Sequence, residues 1–481
     1  MRRPRNVDSW YEYEKVKSFS DSEVFLKNID ISGQIKVALI YPNDYKVASS
    51  SLSFHKVFEK LNESKKISCE RFFFDKKFKK NYSIDSLTPL DQFNIWSFSV
   101  NFELDLLNVI SLLKTYKIPL GKRNRKSYHP LILFGGALTY FSNSITDQIA
   151  DFVYHGDLSD EFVKIIEDLN KKRSKDELIV DLKDFFRSKG INYSCSLSSS
   201  VYLTDKTIFN NRFLIEISRG CVRKCKFCTV GFNFGKFRFI RPELIIDKMN
   251  SVKEYTRKIG LISATVTDYP YLDRIIDYAL DNDFDLSFSS LRLDSLTKNI
   301  LKILKKSDQN QFTIAPEGGS QKIRNIYSKG ISHEQILRAL NMGRELNFDS
   351  IKLYFIYGSP EEEKTDLDGI VDIGNICLNL GYKKVILSIN PLIPKPDTPF
   401  ENYEMEDVKA LRNKERYLKN ELKRIGVKAS FESIKSSIIQ YILTSMKDKQ
   451  AEKFLETAEN VENISGNLLE IFKNNSEKGA G

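Results

Sequence analysis

From Arg212 onward, short apolar runs of strand length alternate with helical patterns, and this alternation constrains the fold more than any other feature of the chain. Strands are expected at Phe213–Ser218, Gly260–Ala264, Phe284–Ser289, Gln311–Pro316, Ile351–Tyr357 and Lys384–Ile389. Helical spacing separates them at Glu243–Arg257, Leu272–Leu280, Leu296–Lys305, His333–Leu346 and Thr365–Leu380. Strands joined through helices make a parallel sheet. Six such units fall short of the eight a closed barrel requires, so an open (β/α)6 partial barrel is expected, with its site at the C-terminal strand ends.

The first third of the chain repeats the alternation on a smaller scale. Ile35–Ile40 reads as a strand ending in Tyr41-Pro42-Asn43-Asp44, and Ser51–Asn62 carries helical spacing. Phe93–Val100, Leu131–Phe134 and Asp151–Tyr154 read as further strands, with helices at Leu104–Tyr116 and Glu161–Leu169. A Rossmann-like sheet covered on both faces is expected here. The charged stretch Asn170–Asp176 reads as a solvated turn. The expected division is 1–34 as an N-terminal extension, 35–170 as the Rossmann-like domain, 171–210 as a connector, 211–400 as the partial barrel, 401–473 as a mostly helical region and 474–481 as a tail.

No signal peptide follows the basic start Met1-Arg2-Arg3-Pro4-Arg5, and no apolar run reaches membrane-spanning length, so a cytoplasmic protein is expected. The net charge of +10 is a mild excess over 481 residues. It reads first as a lysine-rich solvated surface, and an RNA partner is the sharper alternative.

Three of the six cysteines fall within eight residues, in Arg219-Gly220-Cys221-Val222-Arg223-Lys224-Cys225-Lys226-Phe227-Cys228, directly after the first strand of the larger series. Thiolates are the soft ligands of iron–sulfur clusters, and three of them on four irons leave one iron open to another ligand. Zinc closed by a histidine is the competing reading. However, His55, His129, His155 and His333 are all distant in sequence, and iron–sulfur is preferred.

The spacing of Cys221, Cys225 and Cys228, with the aromatic Phe227 before the last, resembles the signature of radical S-adenosylmethionine (SAM) enzymes. The resemblance implies a [4Fe–4S] cluster on these three cysteines, with SAM on the open iron cleaved reductively to a 5′-deoxyadenosyl radical. It further implies an electron donor such as flavodoxin or ferredoxin. SAM contacts are implied at the strand ends: Phe227 beside adenine, Thr267 and Asp268 in place of the family's Gly-Gly-Glu-like segment, Ser289 and Arg292 after the third strand, Glu317 after the fourth, and Tyr357 after the fifth. For Arg292 a surface salt bridge is the bland alternative.

The N-terminal region resembles the cobalamin-binding domain of one radical SAM branch, through Tyr41–Asp44, Gly135-Gly136 and His155-Gly156-Asp157. The resemblance admits cobalamin, and with it methylation. However, the chain lacks an Asp-x-His-x-x-Gly segment, and His55 reads as an ordinary partly buried residue. Methylthiotransferases share the barrel pattern but need three further cysteines, and only Cys69 and Cys195 precede the triplet. The expected function is a radical SAM enzyme with an unidentified substrate. The alternative is a non-catalytic iron–sulfur or RNA-binding protein that keeps the fold.

Overall fold

The segment Ile35–Tyr41 (β1) is apolar at almost every position because a parallel strand is covered on both faces, and only Lys36 is exposed. It pairs in parallel with Ile67–Phe73 (β2) on one side and with Ile95–Ser99 (β3) on the other. Leu131–Gly135 (β4) and Phe152–Val153 (β5) extend the sheet in the order β2-β1-β3-β4-β5. The direction of growth reverses between β1 and β3, the place where sheets of this type leave a crevice at the strand ends. The computed structural model describes residues 9–168, 174–191, 193 and 195–470 of this α/β chain. Among them, no helix is long and apolar enough to cross a membrane.

The chain divides into two units, one running to Phe213 and resuming at Ile442, the other Leu214–Tyr441. The first holds the five-stranded sheet with the helices Trp10–Ser20 (α1), Leu52–Asn62 (α2), Asp105–Thr115 (α3), Asp160–Glu167 (α4) and Lys175–Lys189 (α5). It differs from the sequence reading in three ways. Strand β2 was not expected, because ISCERFF places Glu70 and Arg71 mid-strand. Both are buried: Arg71 reaches Glu23 at 2.6 Å and Asp85 at 2.7 Å, and Glu70 accepts from Ser83 at 2.6 Å. The region 401–473 does not stay together, since the helix Asp448–Asn460 packs in the first unit. There Lys114 Nζ donates to the carbonyls of Ala458 and Val461 at 2.6 Å, and Leu120 N donates to Glu459 at 2.9 Å. The turn read at 170–176 ends in α5, whose first turn is closed by a Ser174–Glu177 capping box; residues 170–173, the end of the helix at Leu169 and the tail 474–481 lie outside the described residues.

The second unit holds two ladders. One runs in the order β10-β9-β6, from Phe213–Glu216 (β6), Lys258–Ile262 (β9) and Asp285–Phe288 (β10). The short strands Ser218–Arg219 (β7) and Arg238–Phe239 (β8) form an antiparallel ribbon beside it. The other ladder is fully parallel: Gln311–Glu317 (β11), Ser350–Tyr357 (β12), Lys384–Pro391 (β13) and Lys428–Phe431 (β14). The last of these falls on the strand-like stretch Val427–Phe431 expected within the mostly helical region, and it joins the ladder beyond the six strands counted for the barrel. Burial alternates along β11 and β13, and along β12 from Ile351 onward. One face, with Ile314, Leu353, Phe355, Leu387 and Ile389, is buried, and the other is half-open. The helices behind the buried face approach closely: a Cβ on Gly343 of His333–Glu345 (α6) would come within 2.4 Å of Phe312, leaving room only for glycine.

Candidate functional site

The three cysteines lie on the loop that leaves β7 at Gly220 and returns at β8. Gly220 has φ of +73°, and a Cβ there would meet the carbonyl oxygen of Lys236 at 2.9 Å, so the loop can start only with glycine. Within the loop, Cys228 N donates to Cys225 O at 3.0 Å, and Arg223 N donates to Cys221 Sγ at 3.3 Å. Lys226 N donates to the carbonyl of Tyr327 at 3.0 Å, tying the triplet to the segment after β11. Cys225 is buried and the other two are half-buried. Burial pushes the Cys225 and Cys228 thiols up, while Lys329 and Arg292 pull Cys225 back toward thiolate. Among the described residues, no three His, Cys, Asp or Glu side chains converge as a ready metal site, and what marks the triplet is its donor chemistry and the loop that carries it.

A chain of ion pairs joins this loop to the ends of the next three strands. Arg223 meets Asp268 at 3.0 Å and Asp294 at 3.4 Å. Asp294 in turn accepts from Arg292 at 3.0 Å, and Arg292 also donates to the Lys329 carbonyl at 3.2 Å. Lys329 Nζ then reaches Glu317 at 3.0 Å. Three cations are thus matched by three carboxylates, most of them well buried, where unpaired charge is costly. Glu317 has φ of +66°, a left-handed backbone that a non-glycine residue rarely adopts, so its carboxylate is held at some conformational cost.

Four of the residues expected from sequence therefore lie in one network. Asp268 and Glu317 sit at its two ends, Arg292 at its centre, and Thr267 Oγ1 accepts from Arg292 N at 3.1 Å. Arg292 is only 7% exposed, so the surface salt bridge does not apply. Ser289 has a different part, its hydroxyl donating to Ser263 O at 2.8 Å and accepting from Ser263 N at 3.0 Å, which stitches β10 to β9. Phe227 packs edge-on against Tyr327 at 5.6 Å, in an apolar cluster with Ile356 and Phe400. Tyr357 stands apart: it lies on the buried face of β12, against Phe431. Sequence reading missed Arg223, Asp294 and Lys329; of these Arg223 lay in plain view inside the triplet.

The donor set suits an iron–sulfur cluster with a charged small-molecule ligand beside it. Besides three thiols, the hydroxyls of Thr265 and Tyr327 are buried with no partner among the described residues, one in the loop after β9 and one beside Phe227. The strand ends of the first unit suit cobalamin less. A Cβ on Gly136 would strike the Val100 carbonyl at 2.5 Å, so that glycine serves the chain's own packing. Asn43 is engaged by Asp105 at 3.0 Å, His155 Nδ1 by Thr139 O at 2.5 Å, and burial raises the Asp105 carboxyl to about 6. His55 has both ring nitrogens occupied, Nε2 on Ser49 O at 2.9 Å and Nδ1 accepting from Val201 N at 3.1 Å, and lies fully buried against Tyr202.

Comparison with known proteins bears on both units. The family described as "Radical SAM superfamily" matches residues 215–373, and that described as "Radical SAM proteins, N-terminal" matches residues 53–188. An uncharacterised protein of Methanocaldococcus jannaschii is 28% identical over 433 residues, 88% of this chain and 91% of its own length. A threonylcarbamoyladenosine tRNA methylthiotransferase of Aquifex aeolicus is 20% identical over 269 residues, 52% of this chain and 59% of that one, so this chain spans less than two thirds of it. Among solved structures, a coproporphyrinogen III oxidase of Escherichia coli, a radical SAM enzyme, is similar over 44% of this chain and 52% of that chain, at 16% identity and a TM-score of 0.33.

Proposed function

We propose that this chain, which carries the domains of the radical SAM superfamily and is an enzyme of that kind, holds a [4Fe–4S] cluster on Cys221, Cys225 and Cys228 and binds SAM along the strand ends beside it. The observation that carries the reading is the ion-pair chain from Arg223 to Glu317, which links the cysteine loop to the ends of β9, β10 and β11. When bound, the cluster and SAM supply reductive cleavage of a sulfonium bond and hydrogen abstraction from a substrate.

The chain's own residues would prepare the place for that chemistry. The backbone N–H of Arg223 steadies the Cys221 sulfur, as hydrogen bonds to sulfur do in tuning such centres. Asp268, Arg292 and Glu317 offer charged groups to the amino acid end of SAM, and Thr265 Oγ1 offers a free hydroxyl. Phe227, Tyr327 and Ile356 form an apolar wall that keeps water from the reacting centre. The second unit fits an open partial barrel with the half-open faces of β11 to β13 as its interior, and the first fits a Rossmann-like domain without cobalamin. Methylthio transfer, the activity named for some relatives, is not part of the proposal: Cys69 is buried in β2, its thiol pushed well up by burial, and cannot serve a second cluster. The close spacing of Cys221, Cys225 and Cys228, a metal-binding pattern and not a disulfide framework, suits a reducing cytoplasm with a ferredoxin- or flavodoxin-like electron donor.

The test is anaerobic incubation of reconstituted, reduced protein with SAM. Formation of 5′-deoxyadenosine and methionine, lost in Cys228→Ala, is the expected result. A cluster-loaded protein that leaves SAM intact under reduction would contradict the proposal.

A further inference from the structure

The sequence Ser350-Ile351-Lys352-Leu353-Tyr354-Phe355-Ile356-Tyr357 is apolar enough to hide its parity, but β12 resolves it. Successive side chains of a strand point to opposite faces, so Lys352, Tyr354 and Ile356 share the half-open face, while Leu353, Phe355 and Tyr357 share the buried one. The register extends the open face across neighbouring strands: Lys352 stands opposite Thr313, Tyr354 opposite Ser388, and Ser388 opposite Ser430. At its upper end Ile356 packs in the same apolar cluster as Phe227, next to Cys228.

Lys352 differs from every cation of the ion-pair chain. Arg223, Arg292 and Lys329 each meet a carboxylate. Among the described residues, Lys352 meets none: its Nζ donates to the Tyr354 hydroxyl at 2.9 Å and lies 4.6 Å from the centre of the same ring. The ammonium therefore leans along the strand toward the C-terminal end, by roughly the 6.6 Å that separates residues two apart. Because the Tyr354 oxygen accepts from Lys352, its own O–H remains to donate. A half-buried ammonium and a phenol hydroxyl, in a row with the Ser388 hydroxyl, form a donor-rich patch without a counter-charge of its own.

We propose that Lys352 and Tyr354 bind an anionic oxygen group of the substrate, a carboxylate or a phosphate, and so set which molecules reach the cluster. This rests on the reading of the open face as the reaction cavity. An anion placed there gains charge-assisted hydrogen bonds from both groups and neutralises the lysine. The substrate's remaining atoms then extend toward Ile356 and Phe227, one strand step above.

The test uses cluster-loaded protein and two probes, inorganic phosphate followed by phosphorus NMR line broadening and carbon-13 acetate followed by carbon line broadening. At least one probe is expected to bind wild type, at least tenfold more weakly to Lys352→Gln, severalfold more weakly to Tyr354→Phe, and unchanged to Lys384→Gln, which alters an exposed lysine at the far end of β13. Preference for phosphate identifies a phosphorylated substrate, and preference for acetate a carboxylate. Equal binding to wild type and Lys352→Gln, or no binding to wild type, overturns the proposal. SAM affinity that falls in parallel in Lys352→Gln also overturns it, placing the lysine on SAM instead. Should wild type bind the anion through Lys352 yet fail to cleave SAM, the parent reading fails and the anion site stands.

Discussion

Replacing Gly220 by alanine should disable the cysteine loop, and Gly426 supplies the control. Both glycines have left-handed backbones, φ of +73° and +79°, but a Cβ on Gly426 meets nothing within 4 Å. For alanine the left-handed conformation costs about 1–2 kcal/mol, partly offset by about 0.4–1 kcal/mol from a stiffer unfolded chain, so Gly426→Ala should lose about 1.6 kcal/mol at most. In Gly220→Ala the Cβ would also press on two backbone oxygens, Lys236 at 2.9 Å and Gly235 at 3.1 Å. Forced overpacking of this kind costs about 1–3 kcal/mol more. The β7–β8 ribbon has only two residue pairs to resist it, so the loop should open before the unit unfolds. An extra 2 kcal/mol shifts the ratio of closed to open loop about thirtyfold. Iron per chain, measured after anaerobic reconstitution and desalting, should fall steeply in Gly220→Ala and hold in Gly426→Ala. Equal iron retention in the two variants would refute the reasoning.

Glu317→Gln should leave Lys329 without its charged partner and weaken SAM binding by about ten- to a hundredfold, with iron content unchanged; unaltered affinity removes Glu317 from the site. Burial holds His55 down to about 4, against 6.5 in the unfolded chain, so the unfolded state binds the extra proton between those values. Stability is then full above pH 6.5 and declines toward pH 4, by about 3 kcal/mol at 1.36 kcal/mol per pKa unit. Thermal unfolding followed from pH 7 to pH 4 should show a shallower decline in His55→Gln, and identical slopes would dismiss the histidine as a contributor. Hydroxocobalamin added during refolding should wash away on desalting, whereas a retained cobalt spectrum would show that the strand ends open to it.

How far the sequence could be read follows from where its signals are local. The second unit's strands and the cysteine triplet were visible because apolar runs, βα alternation and thiol spacing are written within a few residues of one another. Strand β2 was hidden because Glu70 and Arg71 interrupt its apolar run, and their partners Glu23, Ser83 and Asp85 lie at other points of the chain. The return of Asp448–Asn460 to the first unit depends on Lys114 and Leu120, more than three hundred residues earlier. Tyr357 was placed toward SAM by its position after a strand, yet an unbroken apolar strand does not reveal which face each residue takes. Arg223, Asp294 and Lys329 act through pairing across loops, which spacing alone does not disclose.

Metal analysis across the cysteines tests the central claim most directly. Anaerobically reconstituted wild type should carry about four irons per chain and the broad charge-transfer absorption of a [4Fe–4S] centre. Replacing Cys221, Cys225 or Cys228 by alanine should abolish both, while replacing Cys69, Cys195 or Cys377 should leave them intact. Stoichiometric zinc without iron in freshly purified protein, or a cluster that survives loss of any of the three loop cysteines, would contradict the account.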